Sequence, residues 1–174
     1  RPLPNKKMEL HLISSFQFDE LKHCFEESDN YAEKADLLRY ELLYKEGGLY
    51  VDHDVKCFRT FAPFQANYDL YCGLETPHEP VLSSSISACN NIIGARAGHP
   101  VLKKAIENVK TRWEEFAIAY PGDDRESVIY RVAQRTFAAF DNAVREESGK
   151  EGNKDIAFPA AYFNRIDEDL ALYA

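Results

Sequence analysis

Two aspartates two positions apart, Asp52 and Asp54, follow the short apolar run Leu49-Tyr50-Val51. Carboxylates are hard oxygen ligands. A pair with this spacing at a strand end can reach one Mg²⁺ or Mn²⁺ ion, directly or through water, and leave the other positions to phosphate oxygens. In α/β sheets ligands gather beyond the carboxyl ends of strands, which is where this pair would stand. A lone Asp-x-Asp is common in an acidic chain, so the weight falls on what precedes it. Residues 31 to 45 read as a strong helix with Asn30 as N-cap, Glu33 completing a capping box, and Gly47-Gly48 as the stop. At about 100° per residue, Asp36 and Arg39 fall side by side within a stripe formed by Ala35, Leu38, Leu42 and Leu43, while Lys34, Glu41 and Lys45 mark the solvated face. Charges on an apolar stripe are costly unless paired or used. Asp36 and Arg39 are therefore either a structural i, i+3 ion pair or hydrogen-bonding groups presented to a polar ligand such as a sugar.

The elements that must position these groups alternate along the chain. A short helix is expected over 18–26, a short buried strand at Leu49–Val51, a loop marked by Pro63, and a strand from Tyr68 to Leu74. An irregular Pro- and Ser-rich stretch follows from Glu75 to Ser87, then a strand from Asn91 to Ala95. Val101 to Tyr120 reads as a long helix opened by Pro100, and Glu126 to Glu147 as another, with a polar, mobile stretch over 148–154 and a last strand at Ile156–Pro159. This pattern predicts an α/β fold, a mixed sheet flanked by helices. Phe116, Ile118, Val128, Ile129, Val132, Phe137 and Phe140 are read as the core faces of the two long helices, and Asp123-Asp124 as a solvated turn.

The bulk properties mostly exclude. The chain has 174 residues and a net charge of -8, which argues against nucleic acid and against anionic membrane surfaces. No apolar run is long enough to span a bilayer, and the opening Arg1-Pro2-Leu3-Pro4-Asn5-Lys6-Lys7 is not a signal peptide. It has no initiator Met, as expected of a sequence that starts inside a longer chain. Cys24, Cys57, Cys72 and Cys89 form no C-x-x-C pair and read as buried thiols. No Walker A loop, G-x-G-x-x-G, G-x-S-x-G or H-E-x-x-H is present.

The segment from Tyr31 through Gly47-Gly48-Leu49-Tyr50-Val51-Asp52-His53-Asp54 resembles the core of the DXD-containing glycosyltransferases. That group takes in mannosyltransferases, related bacterial glycosyltransferases and the large clostridial glucosylating toxins. Asn90-Asn91-Ile92-Ile93-Gly94-Ala95 with Gly98-His99-Pro100 resembles the family's next strand and helix start, and Ile156-Ala157-Phe158-Pro159 with Tyr162-Phe163 its late Pro-x-x-Tyr-Phe strand. The resemblance is good over 28–104 and weaker to about residue 163. It implies a GT-A-like fold over 1–174, incomplete at one or both ends. It also implies metal-dependent transfer of a hexose from a UDP- or GDP-sugar to an acceptor hydroxyl on a glycan or protein, with retention.

By the same resemblance Asp54 would be the principal ligand of Mn²⁺ or Mg²⁺, and Asp52 would contact ribose or sugar hydroxyls and a metal-bound water. Asp36 and Arg39 would hydrogen-bond the donor sugar, and Tyr50 would sit near the diphosphate. Apart from the resemblance, Asn90 and Asn91 are read either as turn formers or as residues that place an amide near the sugar or acceptor, and Asn91 is taken as the site candidate. The chain departs from the family in lacking an early Trp (its single Trp is Trp113), a Gly-Pro near residues 135–140, and a terminal His and Ser-Trp. A bacterial cytoplasm or a secreted effector is favoured over the Golgi lumen. Strand alternation puts His53 on the side opposite the two acids, in the core or its shell. His99 is expected to cap or pack. Two rivals stand beside this reading. One is a haloacid-dehalogenase-type phosphatase with Asp52 as nucleophile and Asp54 as acid/base, for which Lys56 stands where Thr or Val is expected. The other is a non-catalytic sugar-nucleotide or glycan-binding module.

Overall fold

The computed structural model describes residues 11–75 and 86–163. Most of the irregular stretch expected over 75–87 and the whole Arg1–Lys7 opening lie outside the described residues. Among the described residues four strands form one open mixed sheet in the order β1-β3-β2-β4: β1 Gly48–Val51, β2 Leu70–Leu74, β3 Ala88–Ala95 and β4 Asp155–Phe158. β1 and β2 each run antiparallel to β3, and β4 runs parallel to β2. The helices are α1 Lys22–Glu27, α2 Tyr31–Glu46, α3 Ala62–Asn67, α4 Pro100–Ala119, α5 Arg125–Val132, α6 Ala138–Glu147 and α7 Ala160–Phe163. The core joins Leu37, Tyr40 and Leu43 of α2 to Ile93 of β3, Leu102 and Val109 of α4, and Phe140 of α6.

α2 starts and stops where its sequence says. Asn30 Oδ1 accepts the N–H groups of Ala32 and Glu33 at 2.9 and 3.1 Å. At the other end Gly47 has φ +65°, and a Cβ there would lie 2.6 Å from the Ala97 nitrogen, so both backbone angle and space require glycine. The capping box does not form. Ser28 takes its place: its hydroxyl accepts the Asn30 N–H at 3.2 Å and donates to Glu33 Oε2 at 2.6 Å.

The inward stripe is also rotated from the expected one. Leu42 is 37% exposed, whereas Glu41 is buried. The Glu41 carboxylate accepts the amides of Asp19, Glu20 and Leu21, which pack across it, the last at 2.8 Å. A buried carboxylate that accepts three main-chain N–H groups is stable where an unpaired one would not be.

Other expectations change in detail. β1 is a half-exposed edge strand rather than a buried one, because among the described residues only β3 flanks it. The loop at Pro63 contains α3, with the proline in its first turn, where its missing N–H costs nothing. The stretch 148–154 is tied down rather than mobile: Gly149 N–H donates to Asp155 at 2.9 Å and Lys154 N–H to Asp69 at 2.8 Å. Asp124 caps α5 through Ser127 N–H at 2.9 Å. Cys24, Cys72 and Cys89 are buried, but Cys57 is exposed.

The helix expected over 126–147 is continuous in direction but not in phase. Residues Ala133–Phe137 form a π turn between α5 and α6. Uniform α geometry would place Ile129 within about 20° of Phe140. The wider turn rotates the two apart, so Phe140 is fully buried while Ile129 is 44% exposed. Ile118, also expected in the core, is exposed on α4.

Candidate active site

Asp52 stands where β1 ends. Its N–H still donates to Asn91 O at 2.9 Å, extending the β1–β3 ladder by one bond, and its carbonyl then accepts Val55 N–H at 3.1 Å to close a turn. Tyr50 and Asp52 lie on one side of the chain, and the Tyr50 hydroxyl donates to Asp52 Oδ1 at 2.7 Å. Burial, and then this donation to a carboxylate, raise the Tyr50 pKa, so the phenol keeps its proton. Asp54 lies in the exposed turn with no hydrogen-bond or ion-pair partner among the described residues. His53 shares that turn and is exposed, not packed, because the strand stops at Val51 and its alternation no longer applies.

Arg39 joins this turn to α2. Its guanidinium lies 4.1 Å over the Tyr50 ring, and one amino nitrogen, Nη2, stands 2.9 Å from Asp36 Oδ1 and 3.2 Å from Asp52 Oδ1. The other, Nη1, donates to Asn90 O at 2.6 Å. Asp36 is 2% exposed, and both its oxygens are engaged: Oδ1 also accepts Asn90 Nδ2 at 3.1 Å, and Oδ2 accepts the Thr136 hydroxyl at 2.6 Å. Asn90 donates further to the Tyr40 hydroxyl at 2.8 Å, and Tyr40 donates to Thr136 O at 3.2 Å. Burial outweighs Arg39, Thr136 and Asn90 and pushes the Asp36 carboxyl up to about 6. Thr136 Oγ1 also lies 2.9 Å from Val132 O. When Asp36 carries its proton the chain of bonds can therefore reverse, Asp36 donating to Thr136 and Thr136 to the carbonyl.

Asp36, Arg39, Tyr50 and Asp52 are thus brought into one connected group, with Asp54 at its solvent edge. Asn91 borders Asp52 through its main-chain carbonyl, and Asn90 contributes its side-chain amide to the network. Direct contact of Asp36 with a ligand is not what this arrangement offers, since its carboxylate is enclosed; its line to the surface runs through Arg39 to Asp52, which is about one third exposed. Thr136 and Tyr40 join the network without any mark in the sequence. Thr136 lies 100 positions from Asp36, and no local pattern points to it. His99 is buried away from this group; it caps α4 through Val101 N–H at 3.2 Å and pairs with Asp155 at 3.0 Å.

The donor set suits a hard divalent ion. Asp54 brings two uncommitted oxygens and Asp52 its Oδ2, leaving the rest of an octahedral shell to water and phosphate. Among the described residues the group of three potential ligands that converges on its own is His23, Glu27 and Glu114, on the exposed surface. A groove of about 560 Å³ begins one residue past Asp54, at Val55, and is walled by Phe58, Phe61, Phe64 and Tyr162. A larger cavity of about 740 Å³ lies at the start of α2 and includes none of the Asp-x-Asp residues.

Residues 5–71 match the family described as the glycosyltransferase sugar-binding region containing the DXD motif. Inositol phosphoceramide mannosyltransferase 3 of Schizosaccharomyces pombe is 40% identical over 77 residues, 44% of this chain and 19% of that protein. A glycosyltransferase of Acanthamoeba polyphaga mimivirus is 28% identical over 108 residues, 62% of this chain and 41% of that one. The solved PaToxG glycosyltransferase superposes with a TM-score of 0.51 at 18% identity, over 72% of this chain and 40% of its own, a likeness of fold. The chain spans less than half the length of each of these relatives. Residues 5–71 are thus similar to the glycosyltransferase sugar-binding region of the DXD type, and the fold is like that of a solved glycosyltransferase.

Proposed function

We propose that the chain carries the donor site of a metal-dependent glycosyltransferase that moves a hexose from a UDP- or GDP-sugar to an acceptor hydroxyl with retention. The observation that carries this reading is Arg39, whose one amino nitrogen meets both Asp36 and Asp52 and so ties the buried helix pair to the Asp-x-Asp turn. A Mn²⁺ or Mg²⁺ ion held by Asp54 and Asp52 would offset the charge that builds on the diphosphate leaving group. Asp52, at the exposed edge of the network, would accept from a sugar hydroxyl, and Arg39, buried directly behind it, would donate to the sugar as Asp52 turns toward it; their fixed placement lowers the entropic part of the barrier. Asp36 sets the orientation of Arg39. Tyr50 holds Asp52 from the other side and stays protonated as a donor near the diphosphate. The groove behind Asp54 gives the acceptor a place to approach from.

The name of the S. pombe relative makes GDP-mannose the first donor to try, beside UDP-glucose, UDP-galactose and UDP-N-acetylglucosamine. Hydrolysis of one of these donors with Mn²⁺ or Mg²⁺ is expected. Asp54→Ala should abolish it and leave thermal stability unchanged, since the side chain is exposed and unpartnered among the described residues. Full turnover in that variant would sink the assignment.

A further inference from the structure

The sugar-binding region ends at residue 71, yet the Asp36 carboxylate at its centre is held from far outside it, by Thr136. We propose that Thr136, aimed by the π turn, is a positioning residue of the donor site, acting through Asp36 on Arg39 and Asp52. The inference rests on the donor-site reading and extends it to a part of the chain that carries none of the motif.

Thr136 is fully buried and its hydroxyl is 2.6 Å from Asp36 Oδ2. Of the contacts to Asp36 this is the one made to Oδ2; Arg39 and Asn90 both hold Oδ1. A carboxylate bound at one oxygen can swing about that point, whereas a second bond on the other oxygen fixes its plane. Arg39 Nη2 shares its contact between Asp36 and Asp52, so a rotated Asp36 redirects the guanidinium that faces the donor.

The π turn is what brings Thr136 to this position. A π turn inserts an extra residue and shifts the phase of the helix beyond it, and such turns recur at functional sites. This one is anchored at the preceding residue: Arg135 Nε donates to Trp113 O at 2.9 Å, its guanidinium stacks 3.9 Å from the Trp113 ring, and Glu33 of α2 lies 3.5 Å away. Arg135 thus clamps the turn between α4 and α2, and Thr136 can hardly withdraw from Asp36 without breaking that clamp. One helical segment supplies both the clamp and the ligand to Asp36.

The test compares Thr136→Val, Thr136→Ser and Val109→Ala on the full chain. Val109 is a fully buried residue of α4 outside the network, so Val109→Ala is a control for loss of stability alone. Thr136→Val keeps the shape and removes the donor. It should raise the KM for the hydrolysed nucleotide-sugar about tenfold with kcat within about twofold, and Thr136→Ser should restore it. Val109→Ala should leave KM unchanged. A Thr136→Val enzyme with unaltered KM overturns the inference, as does an equal rise in Val109→Ala. A second readout does not need turnover. The guanidinium N–H signals of Arg39 in the NMR spectrum should be sharp and slowly exchanging in the parent and Thr136→Ser, and broadened in Thr136→Val. If no donor is turned over but these signals respond as expected, the donor-site reading fails while the Thr136–Asp36–Arg39 linkage stands. If donors are turned over and the signals do not respond, the linkage fails alone.

Discussion

Asp36→Asn replaces a buried carboxylate with its nearest neutral isostere, and the structure gives the sign and size of the effect. The new amide can reproduce the bonding of the protonated acid: its oxygen accepts from Arg39 and Asn90, its NH₂ donates to Thr136 Oγ1, and Thr136 turns its hydrogen to Val132 O, 2.9 Å away. In the parent protein the Asp36 pKa rises on folding from 3.8 to about 6, chiefly through burial. The folded state therefore binds the proton more tightly than the unfolded chain. The stabilisation from that proton is full below about pH 3.8, is lost as pH rises through about 6, and is absent above. Two units correspond to about 3 kcal/mol, a large share of the roughly 5–15 kcal/mol that holds a domain together. Asp36→Asn has no such loss. The stability of the variant relative to the parent should thus climb by about 3 kcal/mol between about pH 4 and pH 7.

Urea unfolding followed by the fluorescence of Trp113, which is buried, measures this difference at each pH, with a chelator present so that no cation alters the carboxylates. Because both proteins share every other titrating group, the acid sensitivity of the rest of the chain cancels. A difference that stays flat within about 0.5 kcal/mol across the range would refute the placement of Asp36 as a buried, raised acid. The same substitution should weaken donor turnover, since it removes a negative charge that orients Arg39. Stability gained at neutral pH and activity lost together are the mark of a strained functional residue.

Three other outcomes are expected from the packing. Gly94→Ala would place a Cβ 2.0 to 2.2 Å from ring carbons of Tyr71, so the ring must move; the variant should lose about 1–3 kcal/mol in the same urea assay, and an unchanged midpoint would count against the Tyr71 placement. Of the four thiols, Cys57 alone should react within seconds with a disulfide reagent under native conditions. Cys24 is buried and raised to about 11, and Cys72 and Cys89 are buried and raised to about 12; rapid release from more than one thiol would contradict this. Burial lowers the His99 pKa below 6.5 despite Asp155, so its contribution to stability is present above pH 6.5 and lost as pH falls through the folded pKa. Nitrogen NMR at pH 6.5 should show a ring more than half neutral, its proton on Nε2, the nitrogen facing Asp155, and a predominantly imidazolium signal would be the contrary result.

The readable parts of the sequence are those whose physics is local. Asn30, Gly47 and the apolar spacing between them set α2 to within a residue, because a cap and a positive φ depend on neighbours a few positions away. The Asp-x-Asp turn is legible for the same reason. α3 is hidden because Pro63 reads as a loop marker, although the first turn of a helix tolerates proline well. Glu41 falls on the solvated face of the helical wheel because the wheel counts only residues of its own helix; the amides of Asp19 to Leu21 that make its burial favourable come from another segment. That the Asn90 amide reaches Asp36 is not legible from the sequence, because which face of a strand turns inward depends on pairing, and β3 is paired on both sides with a register shift opposite Cys72/Gly73.

The interior of the site is less legible for a reason that bears on how it works. Asp36 and Arg39 are recognisable as inward charges, but the stripe alone leaves open whether they form a structural pair or one that presents groups to a ligand. The structure makes them parts of one device. A purely structural pair gains from complete enclosure; Arg39 is itself buried, but it shares one nitrogen between Asp36 and Asp52, whose carboxylate is about one third exposed. Burying Asp36 costs about 3 kcal/mol at neutral pH by the pKa argument, a cost that an Asn in its place would avoid. What the carboxylate adds over that amide is a negative charge beside a guanidinium and next to a motif of two further acids. Arg39 there is shared between two carboxylates, Asp36 and Asp52, and on the proposed donor-site reading a nucleotide-sugar would take up the Asp52 side without leaving a buried cation unpaired. The residues that make this exchange possible, Asn90 and Thr136, lie 54 and 100 positions from Asp36. No periodicity in α2 could reveal them, since only the fold brings the three segments together.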